Sequence, residues 1–275
     1  MKIIAPKSFD DFLEIFQNYN NGGINYYRGQ SDYSWDITPG LARNRSIKSI
    51  DNLLAIEKKL IQQFERSVQA NKLTKLIPIV NGSYDESWIY LMAAQHYGLP
   101  TRLLDFSFDR FTALEFAVAD IPNLNKDGAL IIYNNAEDKE ENVDSVLLKN
   151  QFLQTHNSFF FQAPSNKVST GNEFNYSESR KLIQRSKFLY RNTENIFQSL
   201  SLDDEHTYNL TIIHIPKEVK LDIIKWLIDI GQMAYDLYSG KNIIDYYSAI
   251  LKDKYNCIND GNIDQYVKKD DFWKC

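Results

Sequence analysis

Cysteine is nearly absent: the chain of 275 residues has two, Cys257 and Cys275. Two thiols make no disulfide framework, and beside 4 histidines they show no spacing that suits zinc, so no metal is expected. Long apolar runs are missing too. None approaches the roughly 20 residues that span a bilayer. The opening Met1-Lys2-Ile3-Ile4-Ala5-Pro6 has no leader-like apolar stretch before Asp10 and Asp11. The expectation is a cytoplasmic protein with no membrane contact. A basic excess is also lacking, since 31 Lys and Arg face 36 Asp and Glu for a net charge of -5. A surface that tracks nucleic-acid phosphates over many nucleotides needs such an excess. This argues against a dedicated DNA binder but not against a local basic site. With no internal repeat and no low-complexity linker, the simplest division is one compact unit over 1–215 and a helical extension over 216–275 packed on the same core.

What is present is ordinary globular material, 43% hydrophobic and 24% charged, with 16 Phe and 17 Tyr. Tyrosine pairs a flat apolar ring with a hydrogen-bonding tip and suits grooves that hold rings or sugars, or simply a Tyr-heavy core. Helical spacing runs over Ser8–Tyr19, Ser49–Lys72, Asp85–Tyr97, Asp109–Val118, Ser177–Gln184, Val219–Ile230 and Asn242–Lys254. Extended segments are expected at Ile24–Gly29, Thr101–Phe106, Ala129–Asn134, Phe159–Phe161, Phe188–Tyr190 and Tyr208–Ile215.

Two stretches have unusual residue choices. In Tyr26-Tyr27-Arg28-Gly29-Gln30 an arginine sits within an apolar strand, which is costly unless its guanidinium meets an anion. Gly29 would let a ligand approach the backbone. The alternative is an arginine paired with a core carboxylate such as Asp105, and the local sequence leaves both open. The second stretch runs Gln95-His96-Tyr97-Gly98-Leu99-Pro100-Thr101-Arg102-Leu103-Leu104-Asp105-Phe106-Ser107. It puts polar and conformationally special residues between two apolar helices, at helix and strand ends where side chains converge on clefts. Basic residues with interleaved aromatics (Arg43, Arg45, Lys48, Arg180, Lys181, Arg185, Lys187 and Arg191) would suit a narrow single-stranded cleft; scattered surface charge explains them as well.

These residues resemble the FRG domain family. The likeness rests on Tyr27-Arg28-Gly29-Gln30, Trp35, Pro39, the run Ala94 to Asp105, and Thr112 to Ala117, and continues weakly through Arg180 and Gln184 to Phe188. The family commonly has glycine two residues after that glutamine, where Ser186 stands here. The layout is in turn similar to the ADP-ribosyltransferase fold. The fold class implied is α+β, a central mixed sheet flanked by helices with a helical C-terminal part.

The resemblance implies an NAD-dependent ADP-ribosyltransferase, toxin-like, as in toxin–antitoxin or phage-defence systems. Its acceptor would be a macromolecule, RNA or protein, and an antitoxin protein would be a partner. Arg28 would hold the NAD pyrophosphate, Ser107 with Gln30 would brace the ribose, and Tyr27 or Tyr97 would stack on nicotinamide. A late carboxylate would steady the oxocarbenium-like charge. Glu178 and Glu173 are candidates, Gln184 is the family-matched polar residue and Asp105 the nearest carboxylate in the strong motif; Glu115 is expected on the outer face of its helix. Gly29, Gln95, His96, Thr101, Arg102 and Asp105 complete the expected cofactor site. The competing reading is a binding module without catalysis that senses a nucleotide or phosphate; a hydrolase using His96 and Asp105 ranks last.

Overall fold

The structure, a computed structural model, describes residues 1–19, 22–70, 86–135, 158–162, 186–203, 209–232, 251–252 and 255–267. Seven strands form one mixed sheet: β1 (Lys2–Ile4), β2 (Ile24–Gln30), β3 (Leu103–Ser107), β4 (Gly128–Asn135), β5 (Phe159–Gln162), β6 (Ser186–Tyr190) and β7 (Leu210–Ile215). Their spatial order is β1-β7-β4-β2-β3-β6-β5, with β1 parallel to β7 and every other pair antiparallel. The α-helices among the described residues are α1 (Phe9–Asn18), α2 (Ile50–Ala70), α3 (Glu86–His96), α4 (Arg110–Val118), α5 (Lys217–Asp229) and α6 (Ile263–Val267). This is the α+β class with a mixed sheet and flanking helices.

Local chemistry starts the helices where the sequence places them. The Ser8 hydroxyl accepts from the Asp11 amide and caps α1, while Phe12 and Phe16 bury its apolar stripe. On one face of the sheet α1, α4 and α5 pack over β4 and β7, joining Phe12, Leu114, Leu130, Ile213 and Ile223 in one cluster. The opposite face carries Tyr26, Leu104, Phe106, Ile131 and Ile212. A third cluster lies beside β3 and β6, where α2 and α3 pack with Leu251, Tyr255, Ile258, Ile263 and Tyr266. The C-terminal part is thus divided: α5 packs with α1 and α4, and residues 251–267 with α2 and α3. Trp226, partly buried, meets Phe16 edge-on and Phe111 at a tilt, whereas Tyr235, Tyr238, Tyr246 and Tyr247, like the expected helix Ser177–Gln184 and most of Asn242–Lys254, lie outside the described residues.

Two expectations fail for clear reasons. Glu115 is buried (3% exposed), not on an outer face, because α4 lies tightly against β2. The strand expected from Thr101 starts at Leu103, because the two residues before it make side-chain bonds. The Leu103 amide donates to the Thr101 hydroxyl at 3.1 Å and the Arg102 amide to Glu57 at 3.1 Å.

Candidate functional site

The segment after α3 is built by a glycine stop. Gly98 has φ +80°, and the Leu99 and Gly98 amides donate back to Ala94 (2.9 Å) and Gln95 (3.0 Å), the paired bonds of a left-handed helix terminus. The turn brings Thr101 back to Gln95, whose side-chain oxygen accepts the Thr101 hydroxyl at 2.5 Å. With that oxygen occupied, the Gln95 amide nitrogen donates to the Asp105 carboxylate at 2.7 Å. Gln95 is therefore held in one orientation by its own chain neighbours, and Asp105 is fixed through it.

Strands β2 and β3 share a single paired position, Tyr27 opposite Ser107. Beyond it the Arg28 guanidinium spans the strands and donates to the main-chain carbonyl of Asp105 at 2.8 Å. Arg28 thus meets the backbone of Asp105, not its carboxylate. Its Nε is buried and, among the described residues, without a hydrogen-bond partner, an expensive state for a cation.

Next to it opens a cavity of about 500 Å³ lined by Arg28, Arg43, Arg45, Gln95, Asp105, Lys252, Tyr255 and Asn256 among others. The lining carries four cations and one carboxylate, Asp105. Burial, and then the like charge of Arg43, pull the Arg28 pKa down to about 10. Burial also lowers Arg43. The Asp105 carboxylate is open to the cavity yet closely walled, and desolvation raises its pKa against the opposing pull of Arg28 and Gln95. A buried cation crowded by a second one beside an open volume is suited to an anion.

Several expected site residues have other work. Arg102 is wholly buried: it pairs with Glu57, also fully buried, and donates to the Tyr190 hydroxyl at 2.6 Å. Gly29 makes room for helix α4 instead of a ligand. A Cβ there would overlap the Ala113 carbonyl oxygen and come within 2.6 Å of the Ala117 nitrogen. Tyr27 packs with the α1–α4 cluster, on the strand face opposite Arg28. Ser107 accepts the Asp109 amide at 2.9 Å, and Asp109 caps α4, so Ser107 shapes the strand-to-helix turn. Gln30 is buried, with its amide 3.5 Å from the Asp36 carbonyl, and Thr101 is buried under Gln95. Tyr97 packs with the α2–α3 cluster beside Phe64, and His96 makes an edge contact with it. Lys187 and Arg191 are buried, Arg191 against Asp203. Glu173, Glu178, Arg180, Lys181, Gln184 and Arg185 lie outside the described residues.

The structure thus gathers Arg28, Gln95 and Asp105 from the motifs, and adds Arg43, Arg45, Lys252, Tyr255 and Asn256. Arg43 and Arg45 were visible only as scattered basic residues. Lys252 and Asn256 carry no local signal.

Residues 24–126 match the FRG domain family. The chain thus carries a segment similar to the FRG domain, under half of its length. No curated protein and no solved structure matches it. The FRG domain supplies Arg28, Arg43, Arg45, Gln95 and Asp105, while Lys252, Tyr255 and Asn256 come from beyond it. Among the described residues no cluster of three or more His, Cys, Asp or Glu is placed to hold a metal, and no helix is long and apolar enough to cross a membrane.

Proposed function

We propose that the FRG cavity binds the phosphate groups of a nucleotide. The observation that carries this reading is the buried, unpartnered Nε of Arg28 beside a cavity with three further cations. A phosphate offers the guanidinium fork matching acceptors and neutralises the repulsion between Arg28 and Arg43. The test is equilibrium binding of AMP, ADP, ATP and NAD to the purified chain and to Arg28→Ala. Binding that drops at least about tenfold in the variant is expected, since a charge-assisted bond contributes roughly 1.5–3 kcal/mol. No binding by the unaltered chain, or equal binding by both, would sink the assignment.

A second reading is favoured by the placement of Asp105. In ADP-ribosyl transfer from NAD, nicotinamide leaves with the bonding electrons and positive charge grows on the ribose. Asp105, open to the cavity and oriented by Gln95, is the described carboxylate suited to steady that charge. A macromolecular acceptor, RNA or protein, would enter from the cavity mouth, and an antitoxin would act by closing it. Against this reading, Tyr27 and Ser107 face other tasks. Release of nicotinamide from labelled NAD, lost in Arg28→Ala and Asp105→Asn, is its signature. Bound NAD that stays intact leaves the binding module.

A further inference from the structure

The cations around the cavity differ in what already holds them. Arg28 Nη1 donates to the Asp105 carbonyl, Arg43 Nε to the Thr38 carbonyl at 3.3 Å, and Arg45 is fastened to Asp36 at 2.7 Å and to the Phe197 carbonyl at 2.9 Å. Lys252 is exposed, and among the described residues it makes no hydrogen bond or ion pair. Its backbone neighbourhood is nevertheless fixed. Tyr255 is 2% exposed and its hydroxyl donates to the Leu41 carbonyl. The Asn44 amide donates to the carbonyls of Tyr255 (3.1 Å) and Ile258 (2.8 Å), and the Asp260 amide to Ser46 at 3.2 Å. The segment that carries Lys252 and Asn256 is therefore anchored to the same loop that carries Arg43 and Arg45.

Among the described residues four cations line the cavity against one carboxylate, and with Arg45 already held by Asp36 two positive charges remain unmatched. A terminal phosphate carries about 1.5–2 negative charges near pH 7. One phosphate held at Arg28 leaves Lys252 without a counter-charge among the described residues, and a cavity of about 500 Å³ has room for a second phosphate. We propose that Lys252, supported by Asn256, is the specificity-determining residue of this site. It takes a second phosphate linked to the one at Arg28, so that the ligand is a diphosphate-bearing nucleotide and not a monophosphate. The inference rests on the phosphate-binding reading and adds to it a residue outside the FRG domain.

The experiment is calorimetric titration of AMP and ADP into the full chain, Lys252→Gln, Lys252→Arg and Arg28→Ala. The unaltered chain should prefer ADP by about tenfold, one charge-assisted contact. Lys252→Gln should lose that preference, with ADP weakened about tenfold and AMP less than about threefold, while Lys252→Arg retains it and Arg28→Ala weakens both. If Lys252→Gln weakens both nucleotides equally or neither, the role of Lys252 is overturned while phosphate binding stands. If neither nucleotide binds the unaltered chain, the phosphate-binding reading fails and this inference falls with it.

Discussion

Substituting Arg102 by methionine removes one member of the most deeply buried ion pair on the motif. Arg102 and Glu57 both have fully buried side chains. The guanidinium donates to Glu57 through Nε at 2.7 Å and through Nη2, and to the Tyr190 hydroxyl at 2.6 Å, while the Arg102 amide donates to the other Glu57 oxygen at 3.1 Å. Methionine fills much of the volume, so packing loss is secondary. The large cost is Glu57 left without its counter-charge, about 3–5 kcal/mol for a broken buried pair. The double variant Glu57→Gln with Arg102→Met separates charge from packing. Glutamine keeps an oxygen for the Arg102 amide and carries no charge, so more than half of the loss should return. Urea denaturation measures all three proteins. A loss under about 1 kcal/mol, or a double variant no better than the single, would refute the argument. Weakened nucleotide binding with unchanged stability would return Arg102 to a ligand role.

Two further perturbations have opposite physical origins. Gly29→Ala drives a Cβ into the backbone of α4 and should cost about 3 kcal/mol or more. Gly98→Ala meets open space and should cost about 1–2 kcal/mol through its positive φ alone; urea midpoints in the reverse order would contradict the packing described. Asp105→Asn removes the one negative charge of the cavity lining and should tighten ADP binding several-fold, about 1 kcal/mol of relieved repulsion. Because the Asp105 pKa is raised in the folded state, its charged form opposes folding, so the variant should also melt higher at neutral pH. ADP binding by the unaltered chain should strengthen as acidification protonates Asp105, a dependence absent from Asp105→Asn. Titrations between pH 5 and 8 read this directly.

The elements were legible where local physics dominates. The apolar stripe placed α2 at Ser49–Lys72 against the observed Ile50–Ala70, and Gly98-Leu99-Pro100 marked the end of α3 because a left-handed terminus needs that glycine. The three residues of β1 gave too short a pattern to see. Within the site, residue type announced a special environment but not its nature. Arg102 and Arg28 look alike in sequence, as arginines among apolar neighbours. What separates them is a glutamate 45 residues upstream that reaches Arg102, whereas among the described residues Arg28 meets the Asp105 carbonyl and not a carboxylate. Gly29 was read as space for a ligand, but the space belongs to α4, which sequence spacing cannot reveal. Lys252 was illegible because its meaning depends on contacts across more than 200 residues.

Those distant contacts also set the order in which the protein is completed during synthesis. The loop that carries Arg43 and Arg45 is fastened to residues 255–260 through bonds between positions 211–214 apart in the chain. At about 5–20 residues per second, the loop waits roughly 10–40 s on the ribosome before its fastening emerges. Until then the cavity lacks Lys252, Tyr255 and Asn256. The sheet itself is complete only once β7 has emerged, so the site is the last part of the protein to be finished.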